Sequence, residues 1–156
     1  MNEHHEKPKN FENKDAMPTL EVVPHNILVE KVGRLFEKPN MAIGILLAGD
    51  RMSCCDEGVI MQEGKNLIGI ATIAPKGEEM SGQPTIVALY VAPEYRSKGY
   101  GNQILQKAIE RCLERGFEKI RMDVMSSNAT KIIKQMPKEI QEKLDVHDLG
   151  NLMDNF

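Results

Sequence analysis

The chain has 156 residues, of which 41% are hydrophobic and 28% charged, with a formal net charge of -3 at pH 7. This is the size of one ordinary domain with a real core, too short for two, and no apolar run approaches the roughly 18 residues of a membrane span. The charged start MNEHHEKPKNFENKDAMP lacks the apolar stretch of a signal peptide, the acidic balance argues against a nucleic-acid groove, and three cysteines, two of them adjacent, suit neither a disulfide framework nor a zinc site.

The expected picture is a reduced, cytoplasmic protein with no metal and no membrane partner. With no Trp, three Tyr and four Phe, it offers no stacking platform for bases. In chain order, residues 1–18 are polar and aperiodic and read as a flexible arm, leaving 19–156 as a single domain. Thr19 to Val23 alternates like a first strand. Ile27, Leu28, Val32, Leu35 and Phe36 recur at helical spacing between Asn26 and Glu37. The apolar run Met41 to Gly49 fits either a helix or a strand. Val59–Met61 and Leu67–Ala74 flank Glu63-Gly64-Lys65-Asn66 and read as a hairpin. After a turn-rich loop, Thr85 to Val91 (TIVALYV) is apolar on both faces, the pattern of a central strand covered on both sides.

Gly99 to Arg115 carries the clearest helical stripe, Ile104, Leu105, Ala108, Ile109, Cys112 and Leu113, with Gly116 placed to end it. Lys119 to Met125 alternates as a strand, and a short helix from Asn128 to Gln135 stops at Pro137. Beyond it, Ile140, Leu144, Leu149, Leu152, Met153 and Phe156 are spaced more like short helices than strands. The strand Lys119–Met125 is then expected near an exposed edge, covered by a second copy of the chain, as a homodimer, or by the C-terminal tail. The fold class is α+β with a mixed sheet.

Chemistry concentrates between the buried strand and the long helix, in Val91-Ala-Pro-Glu-Tyr-Arg-Ser-Lys-Gly-Tyr-Gly101. Pro93 cannot donate to a ladder and ends the strand. Gly99 and Gly101 let backbone approach a ligand closely, and the first helical amides point outward without partners. Free amides at the positive end of a helix form an anion site matched to phosphate. Arg96 and Lys98 add two positive charges. The run is neither a Walker A loop, which needs Lys-Ser/Thr after the glycine, nor a G-x-G-x-x-G dinucleotide fingerprint.

V-x-P-x-x-R-x-x-G-x-G between a strand and a helix resembles the acetyl-CoA motif of the GCN5-related N-acetyltransferases, the GNAT family. The likeness runs loosely from Thr19 to Gln135 and closely from Thr85 to Asn128. It implies a mixed, splayed sheet flanked by helices, with acetyl-CoA as co-substrate. By the same resemblance Arg96, Ser97, Lys98, Gly99, Tyr100 and Gly101, with Asn102 beside them, hold the CoA pyrophosphate. Leu89, Tyr90 and Val91 line the pantetheine on a strand that splays from its neighbour, and Asn128 contacts the same arm. The implied reaction is direct attack of a primary amine, on a small molecule or a protein, with a backbone N–H near Tyr90 or Val91 holding the oxyanion.

The chain departs from the family pattern in three places. The strand Ile86-Val87-Ala88-Leu89-Tyr90 has no carboxylate to accept the amine's proton, which leaves Glu57, Glu78, Glu79 and Asp123 as substitutes. The position where relatives carry an acidic Tyr holds Gln135, so Tyr90 is the candidate catalytic phenol, while Tyr95 and Tyr100 read as packing residues. The C-terminal end is atypical, its usual last strands hard to find. Two further readings stay open: a non-catalytic CoA-binding or regulatory module, and a toxin-like acetyltransferase acting on charged tRNA. His4 and His5 lie in the polar arm, and His147 reads as a surface residue of the tail.

Overall fold

A computed structural model describes residues 17–34, 52–78, 81–151 and 154. The rest of the expected N-terminal arm, the run Met41 to Gly49, and Glu79 lie outside the described residues. Among the described residues, six strands form one sheet in the order β1 to β6: β1 Thr19–Pro24, β2 Glu57–Glu63, β3 Asn66–Ala74, β4 Thr85–Val91, β5 Ile120–Val124 and β6 Leu144–Asp148. The helices are α1 His25–Arg34, α2 Tyr100–Glu114, α3 Ser127–Lys134 and α4 Lys138–Gln141. The first four strands run antiparallel to their neighbours; β4 to β5 and β5 to β6 are parallel.

Each face of the sheet buries its own apolar layer. On one, Ile104, Leu105, Ala108, Ile109 and Cys112 of α2 meet Val59, Met61, Ile68, Ile73, Ile86, Ile120, Met122 and Val124. On the other, Leu28 and Val32 of α1 meet Val23, Ile60, Ile70, Val87 and Tyr90. A strand with helices on both faces needs apolar residues in both directions, which is why TIVALYV does not alternate. The end of α2 follows from Gly116, whose φ of +87° suits glycine. There the Gly116 N–H donates to the Leu113 carbonyl and the Phe117 N–H to the Cys112 carbonyl, closing the helix with a Schellman pair. Glu57 at the start of β2 pairs with Arg111 at 2.7 Å and Arg115 at 3.2 Å, tying the second half of α2 to the sheet.

The C-terminal segment corrects the sequence reading. After the single turn of α4, Leu144–Asp148 is a strand, not a helix, and pairs with β5 through five register positions. Leu144 reaches the core while Asp145 and His147 face the other way, a period of two too short to stand out in five residues. Strand β5 is therefore not an edge; among the described residues β6 is.

Candidate active site

The sheet opens between β4 and β5. Only Thr85↔Arg121 and Ile86↔Met122 are paired there, although β4 continues to Val91. The cause lies on the other side of β4. Its register with β3 passes from Ile73↔Ile86 to Thr72↔Ala88, so Val87 is an extra residue, a β-bulge, placed where the pairing with β5 ends. A bulge bends its strand and sharpens the local twist, which carries the second half of β4 away from β5.

The backbone of that half has a definite orientation. The Ala92 N–H donates to the Ile68 carbonyl of β3 at 2.8 Å, and polar groups along a strand alternate sides. Tyr90 therefore also turns its amide toward β3, while Leu89 and Val91 turn theirs toward the opening. Of the two expected oxyanion donors, Tyr90 turns its amide away from the opening and Val91 toward it, at the end next to the helix start rather than at the closed end. The side chains alternate as well: Leu89 and Val91 lie on the α2 side, and the buried Tyr90 ring packs on the α1 side.

Past Val91 the chain makes one turn of 3-10 helix, Pro93–Tyr95, then doubles back. Arg96 is more than a surface charge: its Nε–H donates to the Val91 carbonyl at 2.9 Å, and its guanidinium lies 5.8 Å from the centre of the Tyr90 ring. It thus ties the loop to the end of the strand. Ser97 and Gly99 then take left-handed conformations, with φ of 64° and 82°. Gly99 is the N-cap of α2, no side chain among the described residues caps the helix, and no acidic residue lies in its first turn. The first-turn amides are left to water or an anion.

Gly101 serves a different purpose. It is buried, and a Cβ there would lie 3.1 Å from Ile132 Cδ1 of α3 and 3.5 Å from Val91 Cγ2. Its lack of a side chain lets α2, α3 and β4 meet closely. Tyr95 and Tyr100 pack as expected, their ring centres 6.4 Å apart, with Lys98 Nζ 5.8 Å from the Tyr95 ring. Burial, then the nearby Glu63 and Glu94, push the Tyr95 phenol above its ordinary range. Asn102 is exposed in the first turn of α2, and Asn128 in the first turn of α3, where Ser126 caps the helix by accepting the Ala129 N–H. Because β4 and β5 are parallel, both helix starts lie at the open end of the splay.

The substitute bases separate. Glu57 is held by two arginines at the far end of α2. Glu78 is half-buried in the loop after β3, near Cys55. Asp123 sits on β5 one residue beyond the last pair with β4, its Oδ1 accepting from Arg121 Nε at 2.9 Å. Gln135 is an exposed C-cap residue of α3. The thiols of Cys55 and Cys112 are both pushed up to about 12, first by burial, which leaves them protonated and poor nucleophiles. Two features of the site escaped the sequence reading: the bulge at Val87, and a pair of side chains on β6, Asp145 and His147, beside Asp123.

An uncapped helix start, left-handed backbone before it and a half-open strand beneath it together suit a phosphate-bearing, extended ligand. The chain belongs to the Acetyltransferase (GNAT) family, whose pattern matches residues 34–132. It is an acyltransferase of that family. No curated protein matches the sequence. Among solved structures, it is similar to an aminoglycoside acetyltransferase from an uncultured soil metagenomic sample, in complex with trehalose, at 18% identity and a TM-score of 0.55 over 80% of this chain and 90% of that one. It is similar also to a GNAT family N-acetyltransferase from Escherichia coli in complex with CoA, at 15% identity and a TM-score of 0.53 over 74% and 67% of the two chains. A predicted acetyltransferase from Clostridium acetobutylicum with acetyl-CoA is 19% identical, with a TM-score of 0.50 over 76% and 88%. These likenesses are of fold. No helix among the described residues is long and apolar enough to cross a membrane.

Proposed function

We propose that this chain transfers an acetyl group from acetyl-CoA to a primary amine. The observation that carries the reading is the departure of β4 from β5 after Ile86, which leaves the amides of Leu89 and Val91 facing an opening that ends at the bare start of α2. The first-turn amides, with Lys98, hold the pyrophosphate. Arg96 keeps the loop folded back on β4, and Asn102 lies at the rim. Leu89 and Val91 pair with the amides of the pantetheine arm, flanked by Asn128. At about 3.3 Å per residue, the run from Val91 back to Val87 spans roughly 13 Å, which brings the thioester toward the closed end of the splay.

There the amine nitrogen bonds to the acyl carbon while a strand amide holds the carbonyl oxygen as it gains charge. The amine's proton then leaves, the carbonyl re-forms, and the carbon–sulfur bond breaks to release a thiolate. Tyr90 is a positioning residue in this reading: its ring packs under Arg96 on the face from which the amine arrives. Thermal melting with CoA tests the binding step, since a ligand that binds the native state raises its stability. Release of CoA in the presence of an amine panel, aminoglycosides and polyamines among them, tests the transfer. No melting shift with millimolar CoA would remove the assignment.

A further inference from the structure

We propose that Asp123 and His147, with Asp145 behind the imidazole, form the path by which the attacking amine loses its proton; this rests on the acetyl-transfer reading above. Ile120, Met122, Val124 and Leu144 point into the layer under α2. Alternation then turns Arg121 and Asp123 of β5, with Asp145 and His147 of β6, to the opposite face. The register sets Arg121 beside Asp145 and Asp123 beside His147. Asp123 lies first beyond the last β4/β5 pair, Ile86↔Met122, and so at the closed end of the splay. Helix α2 covers the other face of β3 and β4, while on the face that carries these four side chains α1 packs over β1 and β2, so among the described residues an amine reaches the closed end of the splay from that face.

The four are held in a fixed arrangement. Asp145 Oδ2 accepts from Gln83 Nε2 at 2.9 Å, which ties β6 to the segment entering β4, and it lies 3.1 Å from His147 Nε2. Arg121 Nε donates to Asp123 Oδ1 at 2.9 Å and holds that carboxylate in place. The charged groups facing the imidazole among the described residues are thus Asp145 on its own strand and Asp123 and Arg121 on β5. An ion-paired carboxylate is too weak a base to keep an amine's proton, whereas imidazole exchanges protons near neutral pH. As the carbon–nitrogen bond forms, the nitrogen becomes positively charged. Its proton passes along the Asp123 carboxylate to the imidazole nitrogen that does not face Asp145, and from there to solvent. The thiolate leaves with the sulfur's electron pair and takes a proton from water. His147, read from sequence as a surface residue of the tail, acquires this role through a parallel strand that the sequence did not reveal.

Water needs the same proton acceptor as an amine, so slow hydrolysis of acetyl-CoA serves as a probe that needs no known acceptor, with spermidine as the amine probe. CoA release is followed from pH 5 to pH 9 for the full chain, alongside CoA affinity and melting temperature. His147→Gln and Asp123→Asn are expected to lower the rate at neutral pH by about tenfold or more, with CoA affinity unchanged. His147→Gln should also abolish the fall in rate below neutral pH. Asp145→Asn leaves the imidazole in place but removes the carboxylate 3.1 Å from its Nε2, and should lower the rate at neutral pH with CoA affinity unchanged. A His147→Gln protein that keeps both rate and pH profile overturns the proposal, as does an Asp145→Asn protein with an unchanged rate. Enzyme that binds CoA but releases none with either nucleophile overturns it too. Failure to bind CoA at all would instead remove the acetyl-transfer reading on which it stands.

Discussion

Gly99 separates the phosphate-binding role of the loop from its role as a helix start. Its φ of +82° places it in the left-handed region, and a Cβ there meets nothing within 4 Å. Any side chain at this position therefore carries a backbone cost of about 1–2 kcal/mol but no clash, which lowers Tm by about 2–8 °C for a domain of this size. Gly99→Gln and Gly99→Glu share that cost and nearly the same shape, so their difference reports charge. With the introduced carboxylate about 6 Å from a phosphate oxygen held on the first-turn amides, repulsion is about 0.7 kcal/mol in a water-like dielectric and about 3 kcal/mol at an effective value near 20. Gly99→Glu should therefore bind CoA about threefold to 150-fold more weakly than Gly99→Gln. At 1 M salt, where screening acts over about 3 Å, the gap should nearly close. Calorimetric titration of both variants with CoA at low and high salt measures it. Equal affinities at low salt, in two folded proteins of equal Tm, would refute the placement of the pyrophosphate.

Gly101 should behave differently from Gly99, contrary to a reading in which both glycines merely admit a ligand. With Ile132 Cδ1 3.1 Å from where a Cβ would sit, Gly101→Ala should stay within about 1 kcal/mol of wild type, whereas Gly101→Leu should cost about 1–3 kcal/mol by overpacking, read as a lower Tm without CoA. Burial holds Cys55 and Cys112 protonated, with both pushed up to about 12, so iodoacetamide at pH 8 should label the native protein at Cys54 alone and at three cysteines after unfolding, counted by mass spectrometry. The Asp145 carboxyl is held below its ordinary 3.8 by Gln83 first and then His147. Its stabilising contribution is therefore complete above about pH 5 and is lost as pH falls through 3.8 toward the lowered folded value; melting curves from pH 5 to pH 2 should show a shallower acid loss for Asp145→Asn than for wild type.

What the sequence displayed was local. TIVALYV marked a doubly covered strand because each direction had to be apolar, and the stripe from Ile104 to Leu113 marked a helix whose end Gly116 fixed. The phosphate loop was visible because its glycines, its proline and its arginine lie within one short run. Long-range geometry was hidden. Nothing distinguishes Val87 from Ile86 in composition, yet the bulge at Val87 depends on how β3 pairs with β4. The strand Leu144–Asp148 is too short for its alternation to outweigh the helical spacing around it. Asp123 and His147 stand side by side only because β6 runs parallel to β5, a fact of topology with no trace in either residue's neighbours along the chain. Arg96 was read as a charge for phosphate, and its bond to the Val91 carbonyl became visible only once the loop had folded back.

The opening between β4 and β5 is a consequence of how β5 divides its pairing. It shares five register positions with β6 and two with β4, so its place is set mainly by the strand on its far side. On the near side, the bulge at Val87 turns β4 away, and Pro93, which has no N–H, follows at the strand's end. Closing the gap would require β4 to lose its bulge and with it the register that binds it to β3. Leu89 and Val91 are half-buried residues, and amides that face the opening can bond to water, so the open form carries no full desolvation penalty. An extended ligand with amide groups of its own replaces that water without moving either strand. On this account the sheet is built open, and CoA should raise the melting temperature by binding a site that already exists rather than by assembling one.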